Sequence, residues 1–263
     1  MDHQEVGRYW EANAEAWTIM SRAGADICRD GFNTPRFLEM LPNVAGLRGL
    51  DIGCGEGTNT RRVAALGATM TGIDISPTFV RHAAESADNP SDLRFFHASA
   101  TSLPFAEGAF DFAVSFMCFM DFGETAAGLA EAYRVIRPGG FLQFSILHPC
   151  FVPPHRRHTI KDRAQGIARI ETGRYFEHTD GEMEQWTFGN APPQMKERFG
   201  LFQVPCFHRT LSWWLNAVID AGFTIERIGE PRPTDADVER YPGLWDEQQV
   251  PLFIHIRGRK VER

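Results

Sequence analysis

The segment Leu50-Asp51-Ile52-Gly53-Cys54-Gly55-Glu56-Gly57 sets an acid two residues ahead of three glycines at alternate positions. An apolar run leads into it and a helical period follows, so it reads as a strand that turns straight into a helix. Glycines there let a ligand approach the backbone closely, and the helix N-terminus aims amide donors at it. Asp74, 23 positions after Asp51, closes the next strand-like run, where a carboxylate can accept both hydroxyls of a ribose. The pattern points to a ligand that contains a nucleoside.

Two ligand classes compete for such a loop. A dinucleotide needs Gly-x-Gly-x-x-Gly around its pyrophosphate, but counting from Gly53 the third position falls on Thr58, and Asp51 would turn a carboxylate toward the phosphates. That disfavours a nicotinamide dinucleotide and the oxidoreductase it would serve. A cationic ligand reverses the electrostatics, because an acid at the strand end suits the ammonium of an amino acid and lies near a sulfonium. S-adenosylmethionine has both: its adenosine accounts for Asp74, its methionine tail for Asp51 and the glycines.

The elements that must hold these groups follow from periodicity. Strand-like runs at 46–53, 68–74, 92–98, 110–116 and 140–147 alternate with helical spacing at 58–66, 77–87 and 124–135, the pattern of βα units in a parallel sheet. Ser76-Pro77 supplies an N-cap and a first-position proline, and the run Arg137-Pro138-Gly139-Gly140 stops the last helix. Helical spacing returns at 208–223, and two strand-like runs, 223–230 and 250–258, close the chain. The expected fold is α/β: a Rossmann-like, doubly wound, seven-stranded, mostly parallel sheet with an antiparallel edge strand. The first 46 residues read as a helical cover with Trp10 and Trp17 on one face. Residues 148–207, with prolines, four histidines and no strong period, read as an insertion after the fifth strand. One domain over 1–263 is expected, with a cover (1–46), a cofactor-binding core (47–147), a substrate-cover insertion (148–207) and a closing helix and strands (208–263).

Composition narrows the partners. The chain is 43% hydrophobic with a net charge of −7, so it can bury a full core, and its acidity argues against nucleic acid as the main partner. The insertion carries 8 Lys/Arg against 7 Asp/Glu, so it is no RNA arm. Five scattered cysteines without a Cys-x-x-Cys pair suit reduced thiols, and neither a signal peptide nor a membrane span is expected. A cytoplasmic small-molecule enzyme, monomer or homodimer, is the expectation.

Residues 51–57 resemble motif I of the class I S-adenosylmethionine-dependent methyltransferases, and Gly72-Ile73-Asp74-Ile75-Ser76 resembles the family's acidic motif. The run Ser99 to Phe105 with Phe110-Asp111, and the run Arg134 to Gly140, resemble segments of the type-11 (UbiE-like) subgroup. The likeness is strong over about 47–146 and faint in the first 46 residues and the insertion. It implies that S-adenosylmethionine is the cofactor and S-adenosylhomocysteine the product. It also implies that Gly53 and Gly55 contact the methionine part, that Asp74 holds the ribose, that Ile75 packs on adenine, and that the Ala100 amide, flanked by Ser99 and Thr101, reads the adenine edge. Where the family usually has an aspartate this chain has Ser99, which puts the contact to the adenine amino group on a hydroxyl. Ser115 and Phe116 would lie near the methyl group, and Trp17 on a helix that folds over the cofactor.

For the acceptor, His148 beyond the fifth strand and His208 before the next helix are the candidates to orient or deprotonate it. The series Phe116, Phe119 and Phe122 is placed where an apolar or aromatic acceptor would enter. Asp111 reads as structural, and Asp121 as either a helix cap or a site acid. The histidines at 148, 155 and 158 lack metal-ligand spacing, so no metal is expected. The reaction expected is O-, N- or C-methylation of a small molecule; a non-catalytic or regulatory S-adenosylmethionine-binding protein, or a tRNA- or protein-modifying enzyme, is the alternative.

Overall fold

A computed structural model describes residues 1–86 and 93–261. In chain order the elements are α1 (His3–Arg22), a π turn (Arg29–Asn33) running into α2 (Thr34–Met40), β1 (Arg48–Ile52), α3 (Thr58–Ala64), β2 (Thr69–Asp74), α4 (Pro77–Ala84), β3 (Leu93–His97), β4 (Phe110–Phe116), α5 (Thr125–Val135) and β5 (Ile136–Leu147). The insertion follows as β6 (His155–Asp162), β7 (Ile167–Gly173), β8 (Glu182–Trp186), α6 (Pro193–Phe199) and β9 (Phe202–Cys206). Then come α7 (Leu211–Asp220), β10 (Thr224–Gly229), α8 (Asp235–Arg240) and β11 (Phe253–Arg259).

Seven strands form one sheet in the order β10-β11-β5-β4-β1-β2-β3. β1 pairs in parallel with β2 and β4, β2 with β3, and β4 with β5. β11 runs antiparallel to both β5 and β10, so the expected mixed sheet is present, with its antiparallel strand set just inside the edge strand β10. The strand order reverses between β1 and β4, which makes the carboxyl ends of β1, β2 and β4 the place for a ligand.

Two apolar layers hold the sheet. Leu50, Ile52, Leu142 and Phe144 pack with Leu129 of α5 and Trp214 and Val218 of α7, while Phe37 of α2, Val63 of α3, Met70, Phe112 and Phe141 fill the other layer. Two boundaries move from expectation. β5 starts at Ile136 rather than at 140: Ile136 pairs with Phe110, and the strand then bulges through Gly139 (φ +79°) before Phe141 pairs with Phe112; a Cβ on Gly140 would lie 2.4 Å from the Asp111 carbonyl oxygen. α4 ends at Ala84, with Glu85 and Ser86 already outside the helix, while residue 87 of the expected helix and residue 92 of the expected strand fall outside the described residues.

The insertion is more regular than its sequence. β6 pairs with β7 and β8 with β9, both antiparallel, and the second pair docks on α1. Asn13 exchanges two hydrogen bonds with the Gln203 backbone (2.9 and 3.3 Å). The Trp17 ring lies 4.9–5.4 Å from Trp10, Trp186, Phe188 and Phe202. Such aromatic pairs contribute about 0.5–1.5 kcal/mol each beyond their area.

Candidate functional site

Beyond β1 the backbone turns through Gly53 (φ +73°), Gly55 (φ +53°) and Gly57 (φ +85°), left-handed conformations that glycine adopts without strain. The Gly53 and Cys54 amides both donate to the Ile73 carbonyl at 2.9 Å, locking the turn to β2. A Cβ at Gly53 would stand 2.2 Å from Cys118 Sγ, so the glycine admits the segment that follows β4. At Gly55 a Cβ would meet no protein atom within 4 Å, so this backbone presents an open face.

Asp74 accepts from the Gly55 amide and the Ser76 amide, 2.9 Å each, one on either carboxylate oxygen. Burial pushes its pKa up to about 6, and those amides hold it from going higher. Asp51 accepts from Thr60 Oγ1 at 2.6 Å, while its other oxygen, Oδ1, is buried without a partner. Burial lifts Asp51 to about 7; the Thr60 hydroxyl opposes the rise and the Asp74 charge adds to it. Two carboxylates held this way favour a cation between or beside them.

On the adenine side α1 closes over β2. A Cβ on Gly7 would stand 3.0 Å from the Ile75 side chain, and Glu11 accepts from Ser76 Oγ (2.5 Å), the Thr78 amide (3.1 Å) and Thr78 Oγ1 (2.7 Å). His97 Nε2 donates to the Ile75 carbonyl at 3.0 Å. Gly7, Glu11, Ile75 and His97 line a cavity of about 350 Å³. In the next loop Ser99 Oγ accepts from the Thr101 amide at 3.1 Å and lies 2.8 Å from Thr101 Oγ1. Ala100 is buried, and its amide has no partner among the described residues.

The acceptor side differs from expectation. Ser115 is buried with its hydroxyl on the Ile52 carbonyl at 2.8 Å, and Phe116 packs on Phe37 of α2 at 4.1 Å between centroids. The Ser115 hydroxyl and the Phe116 ring are thus engaged with β1 and α2 rather than free toward an acceptor. Phe119 and Phe122 do not line an entrance; both are buried in the layer with Leu129 and Phe144. Trp17 belongs to the aromatic cluster that joins α1 to the insertion. His148 is buried with both ring nitrogens engaged, Nε2 on Glu230 (2.9 Å) and Nδ1 on the Cys150 amide (3.2 Å), which leaves it no free lone pair. His208 donates from Nε2 to the Tyr175 carbonyl at 2.8 Å, and burial holds its pKa below the usual value, so it is neutral with Nδ1 as acceptor. Asp111 accepts from the Arg48 amide and Arg137 and is structural.

Thr60, Glu11, Gly7 and His97 are not among the residues that motif and spacing nominate. Thr60 follows Asp51 by nine positions on the first turn of α3, a signal within reach. The others act across the α1–β2 junction, and nothing in their own neighbourhoods marks them.

Residues 50–144 match a family described as Methyltransferase domain. The chain is 32% identical over 154 residues to a demethylmenaquinone methyltransferase of Tropheryma whipplei (strain Twist), covering 56% of this chain and 63% of that protein. It is 31% identical over 112 residues to a malonyl-[acyl-carrier protein] O-methyltransferase of Pectobacterium atrosepticum, covering 43% of each. The chain thus spans less than two thirds of the length of these curated relatives. Among solved structures, an S-adenosylmethionine dependent methyltransferase from Mesorhizobium loti is similar with a TM-score of 0.69 at 29% identity, over 86% of this chain and 96% of that one.

Proposed function

We propose, for a chain that belongs through residues 50–144 to the type-11, UbiE-like family of S-adenosylmethionine-dependent methyltransferases, that it methylates a small-molecule acceptor and releases S-adenosylhomocysteine. The observation that carries the reading is Asp51: a buried carboxylate with one oxygen unpartnered, beside a glycine turn whose open face is Gly55. A pyrophosphate there would meet two buried carboxylates, whereas a cationic amino-acid tail would pair them.

The residues present fit S-adenosylmethionine. Asp51 would hold its ammonium, Gly53 and Gly55 would admit its methionine chain, and Asp74 would accept the ribose hydroxyls on lone pairs that Gly55 and Ser76 leave free. Ile75 would pack on adenine and the Ala100 amide would donate to the ring edge. When bound, the sulfonium supplies an electrophilic methyl group with a neutral thioether as leaving group, so the protein's task is alignment and exclusion of water. α1, clamped by Glu11 to Ser76 and Thr78 and by its aromatic face to the insertion, supplies that exclusion. Of the two histidines, His208 retains an acceptor nitrogen with which to orient the acceptor, and His148 braces the exit of β5. The five free cysteines suit a reducing, cytoplasmic setting, and among the described residues no helix is long and apolar enough to cross a membrane.

Calorimetry with S-adenosylhomocysteine tests the reading: one site with a micromolar Kd is expected, and absence of binding at several hundred micromolar would overturn it. For His208, a His208→Ala variant that turns over a true acceptor at the wild-type rate would remove it from the acceptor site.

A further inference from the structure

β11 divides its side chains between two layers. Ile254 and Ile256 join the apolar layer with α7, while His255 lies against Phe37 of α2 (5.3 Å between ring centroids) and Arg257 donates to the Met40 carbonyl at the end of that helix. Past Met40 a cavity of about 760 Å³ opens over β10 and β11. It shares no lining residue with the glycine turn or with the adenine-side cavity.

Five arginines and three glutamates line this cavity, an excess of two positive charges in a chain whose net charge is −7. Burial keeps His255, also in the wall, neutral by pushing its pKa down to about 3. All three acids are already engaged: Glu39 with Arg36, Glu230 with His148 at 2.9 Å, and Glu226 with both Arg257 (3.1 Å) and Arg259 (2.8 Å). Arg227 and Arg232 have no hydrogen-bond or ion-pair partner among the described residues.

Arg257 distinguishes the cavity from a solvated basic patch. Only 8% of its surface is exposed. Its Nε donates to Glu226 and its Nη1 to the Met40 carbonyl and Gln143, while Nη2 has no partner among the described residues. Arg227 is paired with Arg257 directly across the antiparallel strands β10 and β11, and like charges so placed repel. Glu226, shared between Arg257 and Arg259, does not also offset Arg227. A desolvated guanidinium opposite an unmatched one is costly unless an anion bridges them.

We propose that this cavity is a second ligand site, separate from the glycine turn, and that its ligand is a phosphate monoester with an apolar body. Such an ester carries a charge of about −1.5 to −2 at neutral pH, which matches the excess of two. Its oxygens accept from Arg257 Nη2, Arg227 and Arg232 together, whereas a carboxylate leaves one arginine unmatched. The volume lies within the range of small-molecule pockets, about 300–1,000 Å³, and is larger than a bare ion fills. Met40, Leu41 and Pro42 supply the wall for the apolar body.

The test titrates phenyl phosphate, inorganic phosphate and benzoate into the full chain at about pH 7.5, where the monoester is a dianion, and reads amide resonances by NMR. Phenyl phosphate is expected to bind at least about fivefold more tightly than either of the others, with the shifted resonances at 226–232 and 253–259. Replacing the two unpartnered arginines together, Arg227→Gln with Arg232→Gln, should weaken it about tenfold. The same charge change on the β6–β7 hairpin, Arg163→Gln with Arg169→Gln, should leave the Kd within about twofold. Without anion, Arg227→Gln should melt no lower than the wild type, because it relieves the like-charge pair. The proposal would be overturned by no binding up to about 20 mM, by equal losses in the two double variants, by either other probe matching phenyl phosphate, by resonance shifts at the glycine turn instead, or by a lower melting point for Arg227→Gln. Failure of the chain to bind S-adenosylhomocysteine would count against the methyltransferase reading and leave this site untouched.

Discussion

Around Asp51 and Asp74 the polar partners are close in sequence: Thr60 lies 9 positions from Asp51, and Gly55 lies 19 from Asp74. Across the cleft, Asn13 meets Gln203 at a separation of 190 residues, and Trp17 meets Trp186, Phe188 and Phe202. The first region needs two adjacent βα units in register and little else. The second exists only when the N-terminal helix and a distant hairpin arrive together. On the proposed reading, cofactor chemistry would sit on the local half, and acceptor choice on a half whose geometry depends on long-range docking.

The contrast breaks most sharply if the local half tolerates damage. Asp74→Ala leaves the Gly55 and Ser76 amides without their acceptor and would remove the proposed ribose contact. The expected loss is about 4 kcal/mol of S-adenosylhomocysteine binding, roughly a thousandfold in Kd by calorimetry. A smaller loss of about 3 kcal/mol, read in unfolding free energy, is expected for Trp17→Ala, which empties the centre of the aromatic cluster. Its effect on cofactor affinity should stay within about fivefold; a loss as large as that of Asp74→Ala would mean the two halves are not separable.

The pH dependence of stability sharpens the local half further. Asp51 and Asp74 have folded pKa values of about 7 and about 6, above the unfolded carboxylate value, so the folded state holds protons that the unfolded state has lost. Their contribution is present at low pH and is lost as pH rises from about 4 through 7. Asp51→Asn removes its share, so the stability of the ligand-free variant relative to wild type should increase by about 2 kcal/mol between pH 5 and pH 8 in chemical denaturation. On the proposed reading, saturating S-adenosylhomocysteine should shrink that difference, because its ammonium would stabilise the charged form of Asp51. The smallest effect concerns the one departure from the family pattern: Ser99→Asp, which can still accept from the Thr101 amide, should tighten S-adenosylhomocysteine binding by up to about 1 kcal/mol. Weaker binding would show that the hydroxyl already serves the adenine side.

Much of this division was legible beforehand. The five parallel strands, the glycine turn and the two acids could be read because each depends on residues within one βα unit, where periodicity and backbone conformation are local properties. Phe119 and Phe122 were misplaced for the converse reason: an aromatic just past a strand looks the same whether the chain continues outward or, as here, folds back through a left-handed Met117 into the core. The insertion's hairpins were invisible because their strands are half-exposed and carry no clean alternation, and His148 looked available because its partner, Glu230, lies 82 residues away.

The sequence by itself determined the sheet, the turn beyond β1 and the two acids that flank it, since these follow from spacing and from what glycine and aspartate can do. Only the tertiary structure decided which polar groups remain free. It engaged both nitrogens of His148, the Ser115 hydroxyl and one oxygen of Asp51, and it left the other oxygen of Asp51 buried without a partner. Hydrogen bonds saturate, so whether a side chain is available for chemistry depends on every neighbour that folding brings to it, and most of those neighbours are far away along the chain.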